Sequence, residues 1–109
     1  MRITDLPFSL TDWTSVEPTE HAGERGIARW RTRQFGALRL RLVEYSPGYR
    51  ADHWCDKGHI VFCIEGELLT ELQDGRLVTL TPGMSYQVAD GAEPHRSVTR
   101  TGAKLFVVD

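Results

Sequence analysis

Long apolar runs are missing from this chain, and with them any segment of the roughly 20 apolar residues that a membrane-spanning helix needs. The opening MRITDLPFSL lacks the apolar centre of a secretory signal, so the expectation is an intracellular, cytoplasmic protein. Cysteine is scarce. Cys55 and Cys63 are too few for a disulfide framework and are expected to be thiols in a reducing compartment. Neither sign of charge prevails, since 13 Lys and Arg against 15 Asp and Glu leave a net charge of −2. That balance gives no argument for a nucleic-acid or membrane partner. There is no internal repeat and no low-complexity tract. After residue 26 there is no amphipathic stripe of the roughly 12 residues that a stable helix wants. A length of 109 residues allows one domain with a real core, and 26% charged residues do not suggest disorder.

What the chain does have is one short strand signal after another. Residues 1–25 carry Pro7 and Pro18 with little periodicity and read as an N-terminal arm, with room for one short strand. Phe8 and Trp13 are the side chains expected to pin it to the body. Residues 26–109 read as the barrel domain. In LRLRLV, Leu38, Leu40 and Leu42 share one face while Arg39 and Arg41 take the other. The arginines of RGIARWRTRQFGALRLR are expected on solvated strand faces, with an anion-binding patch as the alternative. Pro47 and Gly48 break the pattern. HIVFCIEGELLTEL is β-branched and aromatic, LQDGRL is a hairpin signal, and further short strands follow to RTGAKLFVVD. Closely spaced strands with Gly and Pro between them argue for an all-β sandwich or barrel.

Chemistry concentrates in DHWCDKGHIVFCIEG. His53, Cys55 and His59 are all odd-numbered, as are Val61 and Cys63, so on extended backbone they share a face opposite Ile60, Phe62 and Ile64. A strand with ligands on one side and an apolar surface on the other suits a barrel wall around a polar site. The apolar side then packs on a second sheet or on another subunit. His95 follows Pro94 and supplies a ligand from a second element. Cys63 is read as core filling, His21 as a surface histidine, and Asp52 as a loop cap or a support for His53. Tyr45, Tyr86 and Gln87 are candidates for lining the pocket.

Those segments resemble the two motifs of the cupin superfamily. Gly48 is followed by four residues, His53-Trp54-Cys55, three residues, His59, six residues and Gly66. Gly83 is followed by five residues, Ala89-Asp90-Gly91, three residues, His95, three residues and Thr99. The departures are Cys55 where cupins usually have histidine, His59 where they have glutamate, and Ala89 and Thr99 for a proline and an asparagine. The DHWC run also resembles a group of small bacterial cupins named for an Asp-His-Cys-Trp motif, with the last two residues exchanged. The resemblance implies an all-β double-stranded β-helix, the cupin jelly-roll barrel, with the N-terminal arm outside it. It places metal ligands at His53, Cys55, His59 and His95.

Imidazole and thiolate donors suit zinc, iron or nickel, and manganese is the remaining candidate divalent ion. With Cys55 bound, four ligands close a zinc site. With Cys55 turned away, three histidines resemble the iron sites of thiol dioxygenase cupins. The resemblance thus implies a metal-binding cupin with a pocket for a small organic ligand or substrate, as in a metal-dependent dioxygenase or isomerase. The alternative is a non-catalytic ligand-binding or sensor cupin whose metal is structural or absent. A homodimer is expected, with the Ile60/Phe62/Ile64 face covered.

Overall fold

Alternating sequences with turn residues at short intervals leave each segment one apolar side to hide, and sheets stacked face to face hide it. The computed structural model describes residues 2–109. Its strands are β1 (Thr19–Ala22), β2 (Ile27–Phe35), β3 (Leu38–Tyr45), β4 (His59–Gly66), β5 (Leu68–Leu72), β6 (Leu77–Leu80), β7 (Ser85–Val88), β8 (His95–Val98) and β9 (Ala103–Val108). They form a six-stranded antiparallel sheet, ordered β1-β2-β3-β9-β4-β7, and a three-stranded one, ordered β6-β5-β8. This is the all-β jelly roll that the sequence led us to expect. The sole helical element among the described residues is one 3-10 turn, Trp13–Ser15, where the Asp12 carboxylate accepts from the Thr14 amide at 3.1 Å.

Register sets the barrel interior in layers. Val43, Leu105 and Cys63 lie side by side on β3, β9 and β4, and form the apolar floor with Leu68 and Leu80. One rung nearer the mouth, Arg41 pairs with Val107, Val107 with Val61, and Val61 with Tyr86. At the mouth the Arg39 and Asp109 backbones exchange hydrogen bonds of 2.6 and 2.9 Å. The interior therefore grades from hydrocarbon to charge along its axis.

Three details differ from the sequence expectation. Arg39 and Arg41 face the interior while the leucines beside them face outward, half-buried, and Arg41 is only 8% exposed. The second sheet does not cover Ile60, Phe62 and Ile64, which are 42%, 43% and 37% exposed. Trp13 does pin the arm, meeting the Phe106 ring edge-on at 5.7 Å, but Phe8 lies fully exposed. The QDG turn works through Gly75 alone, whose φ of 100° closes a three-residue loop before β6.

Candidate metal centre

Backbone pairing places the first two candidate ligands. The linker between β3 and β4 returns along β8, and there Cys55 donates its amide to the His95 carbonyl at 2.7 Å and accepts the His95 amide at 2.9 Å. Residues directly opposite in an antiparallel bridge project to the same side, so the Cys55 thiol and the His95 ring emerge together. His59 opens β4 on the facing sheet. Gly58, just before it, lies against the Ala89-Asp90 backbone, where a β-carbon would sit 2.6 Å from the Asp90 nitrogen. The Gly58 amide donates to Asp90 Oδ1 at 2.6 Å, which fixes where β4 begins.

The ligand atoms of Cys55, His59 and His95 all lie within 4.8 Å of one another. His95 Nδ1 lies 2.9 Å from the Glu93 carbonyl oxygen, which can only accept, so that nitrogen carries the proton and Nε2 turns a lone pair to the cavity. His59 Nε2 faces it at 2.8 Å, with the Tyr86 hydroxyl 3.3 Å away. His59 Nδ1 is buried without a hydrogen bond among the described residues and lies 3.7 Å from Asp109 Oδ2. With a proton on that Nδ1, two imidazole lone pairs confront each other, and a cation between them relieves the repulsion.

Electrostatics favour the donor forms of His59 and Cys55. Burial first, and then the neighbouring His95, depress His59 to about 4, so its ring is neutral at pH 7. The His95 hydrogen bond draws the Cys55 thiol below its ordinary range, and the same contact raises His95. Zinc, iron and nickel take neutral imidazole and thiolate, so His59 and Cys55 are poised as donors. An ion has only to displace the proton that the Cys55 thiolate favours on His95, and the residues fit a divalent ion.

His53, the fourth candidate, stands apart from this cluster. It lines the same cavity, but its side chain is 76% exposed and its Nδ1 meets Asp52 Oδ1 at 2.6 Å. Asp52 thus supports His53. Cys63 is fully buried in the apolar floor and unpaired, as expected of core filling. His21 is half-buried, stacked on Trp30 at 3.9 Å.

The cluster opens on a cavity of about 220 Å³. Tyr45 and Tyr86 line it as expected, Gln87 does not, and Tyr49 joins them, stacked on Tyr45 at 4.2 Å. Burial raises all three phenols, so they act as neutral hydrogen-bonding groups. Sequence reasoning missed Asp109, Lys57 and Trp30, and it placed Arg39 and Arg41 on the wrong side of the wall. The signal for Asp109 was its odd number, in phase with Leu105 and Val107.

No family profile and no curated protein matches the chain in sequence. Among solved structures it is similar to a predicted oxalate decarboxylase from Thermotoga maritima, at a TM-score of 0.78 and 14% identity, covering 92% of this chain and 96% of that one. It is similar to ectoine synthase from P. lautus, at a TM-score of 0.75 and 20% identity, over 93% of this chain and 76% of that one. An RmlC-like cupin from Shewanella frigidimarina gives a TM-score of 0.74 and 21% identity over 94% and 89%. These identities speak to architecture, and on that ground the chain has the double-stranded β-helix fold of the small cupins.

Proposed function

We propose that this protein binds a divalent metal ion through Cys55, His59 and His95, and uses it on a small organic molecule held in the barrel cavity. The facing of the two Nε2 atoms across 2.8 Å, with the Cys55 thiol beside them, carries this reading. Asp109 stands behind His59 where a carboxylate orients a ligating imidazole, and the Glu93 carbonyl does the same for His95. His53 completes the set if its ring turns inward while Asp52 keeps hold of Nδ1, leaving Nε2 for the ion.

When bound, the ion supplies Lewis-acid polarisation or oxygen activation. The chain's own residues do the rest. Val43, Val61 and Leu105 offer hydrocarbon to the ligand, while the Tyr45, Tyr49 and Tyr86 hydroxyls offer neutral hydrogen bonds and give up no proton near pH 7. A metal-dependent dioxygenase or isomerase is consistent with this equipment. Solved structures of this fold include an ectoine synthase and a predicted oxalate decarboxylase, so the fold itself selects no reaction. A cytoplasmic, reducing setting suits the Cys55 thiolate, which oxidation would remove as a ligand.

The test is elemental analysis of protein purified without chelators, beside His95→Ala and His59→Ala. We expect near-stoichiometric metal in the wild type and almost none in either variant. Full stoichiometry in His95→Ala would refute the assignment. Cobalt(II) substitution adds a second check, because a sulfur-to-metal absorption band lost in Cys55→Ser identifies the thiolate ligand.

A further inference from the structure

We propose that the Arg39/Arg41 wall of the cavity is an oxyanion subsite, and that the small molecule taken there carries a carboxylate or phosphate group seated on Arg41. The proposal rests on the cavity being a ligand site and not on the metal being present.

The first argument is charge. Arg39, Arg41 and Lys57 line the cavity, and the carboxylate they face is Asp109. Arg96 also lines it, but Glu71 takes that guanidinium at 2.7 Å. Asp109 is shared unequally. Arg39 holds both oxygens, Nε to Oδ1 at 2.8 Å and Nη2 to Oδ2 at 3.0 Å, while Arg41 reaches Oδ2 through Nη2 alone at 3.0 Å. One carboxylate cannot neutralise two guanidiniums, and the one less well served is the one buried. A buried, unmatched cation is a costly arrangement that a ligand anion relieves.

The second argument is hydrogen bonding. Arg41 is 8% exposed, and its buried Nε has no hydrogen-bond partner among the described residues. A guanidinium presents its donors as a planar fork suited to two oxygens of one group. Here the Trp30 ring supports that plane, 4.5 Å from Arg41 Cζ. Burial and the charge of Arg39 both pull the Arg41 pKa down, as an unmet positive charge requires.

The third is shape. Beside Arg41 the wall turns to Val107 and Val61 and below it to Val43 and Leu105, and the cavity holds about 220 Å³. That space suits a short carbon chain and excludes a nucleotide or a long acyl group. Asp109 links the subsite to the candidate metal centre, since its Oδ2 takes Arg41 and lies 3.7 Å from His59 Nδ1. An acid seated on Arg41 therefore shares its cavity with His59.

The experiment is calorimetric titration at low salt, on both metal-loaded and chelator-stripped protein, with malonate, inorganic phosphate and the neutral malonamide as probes. We expect malonate or phosphate to bind both forms and malonamide neither, with the tighter anion showing whether the natural ligand is a carboxylic acid or a phosphate ester. Arg41→Gln should weaken the anion about tenfold or more at unchanged metal content. Arg39→Gln gives the same direction without disturbing the buried residue, because Asp109 is then free to neutralise Arg41 one to one. Binding of malonamide as strong as malonate, no anion binding, or full affinity in both variants overturns the subsite. Anion binding confined to the metal-loaded form and indifferent to Arg41→Gln is ligation of the ion, which overturns the subsite and leaves the metal reading standing. Anion binding to a protein that takes up no metal does the reverse.

Discussion

Changing Asp109 to asparagine deletes one negative charge from a side chain that is 1% exposed while keeping its size. The wild-type carboxylate accepts three charge-assisted hydrogen bonds, at 2.8, 3.0 and 3.0 Å. An asparagine carbonyl retains at most two of these as weaker contacts from a guanidinium to an uncharged acceptor, and its amide turns donors toward donors. Breaking a buried ion pair typically costs about 3–5 kcal/mol. Two features reduce the figure here. Arg39 keeps 25% exposure and thus some hydration, and Trp30 still lies against Arg41. We expect a loss of about 3 kcal/mol. For 109 residues the entropy of unfolding near the midpoint is about 0.23 kcal/mol/K, so Tm should fall by about 13 °C. Urea titration of chelator-treated protein by circular dichroism at pH 7 measures the free energy, and a thermal scan measures Tm. The same variant should bind malonate more tightly, because the internal competitor for Arg41 has gone. A loss below about 1 kcal/mol, the range of solvated surface pairs, would mean that water reaches these guanidiniums and that the charge argument fails.

Two other variants probe the architecture. Gly58→Ala forces a methyl to within 2.6 Å of the Asp90 nitrogen, so we expect about 1–3 kcal/mol of destabilisation and weaker metal uptake as His59 shifts, read by urea titration and elemental analysis. Cys63→Ser puts a hydroxyl into the apolar floor, and should lower stability by about 1–3 kcal/mol while leaving bound metal unchanged, the opposite pattern to Cys55→Ser.

Much of this was legible because period-two alternation translates directly into inside and outside. On β4 the odd residues Val61 and Cys63 are buried and the even ones exposed, as the pattern required. The same logic put His59 inside. Cys55 and His95 were foreseeable only as a pair of motif positions, since the bridge that joins them spans the two segments and leaves no trace in either alone. On β3 the alternation misled for a physical reason. Both faces of LRLRLVEY mix apolar and charged residues, and hydrophobicity favours the leucines for the core. The interior accepts the arginines because Asp109, 68 residues on from Arg41, arrives to pair with them. Long-range charge compensation of that kind is invisible to a local window. Parity put His53 with Cys55, but in the linker its ring takes the Asp52 carboxylate and stays mostly in water.

The place of β9 has a consequence for how the protein comes to be folded. This strand, the latest in chain order, lies between β3 and β4 in the larger sheet and joins the β1-β2-β3 side to the β4-β7 side. Until residues 103–108 are available, β3 and β4 cannot meet, and the HIVFCIEG segment presents an unpaired apolar edge. Folding is therefore a non-local, late-closing process of the slow kind, during which that edge is a template for aggregation. The step that completes the sheet is also the one that delivers Asp109 to Arg39, Arg41 and His59. Assembly of the barrel and assembly of its charged mouth are one event.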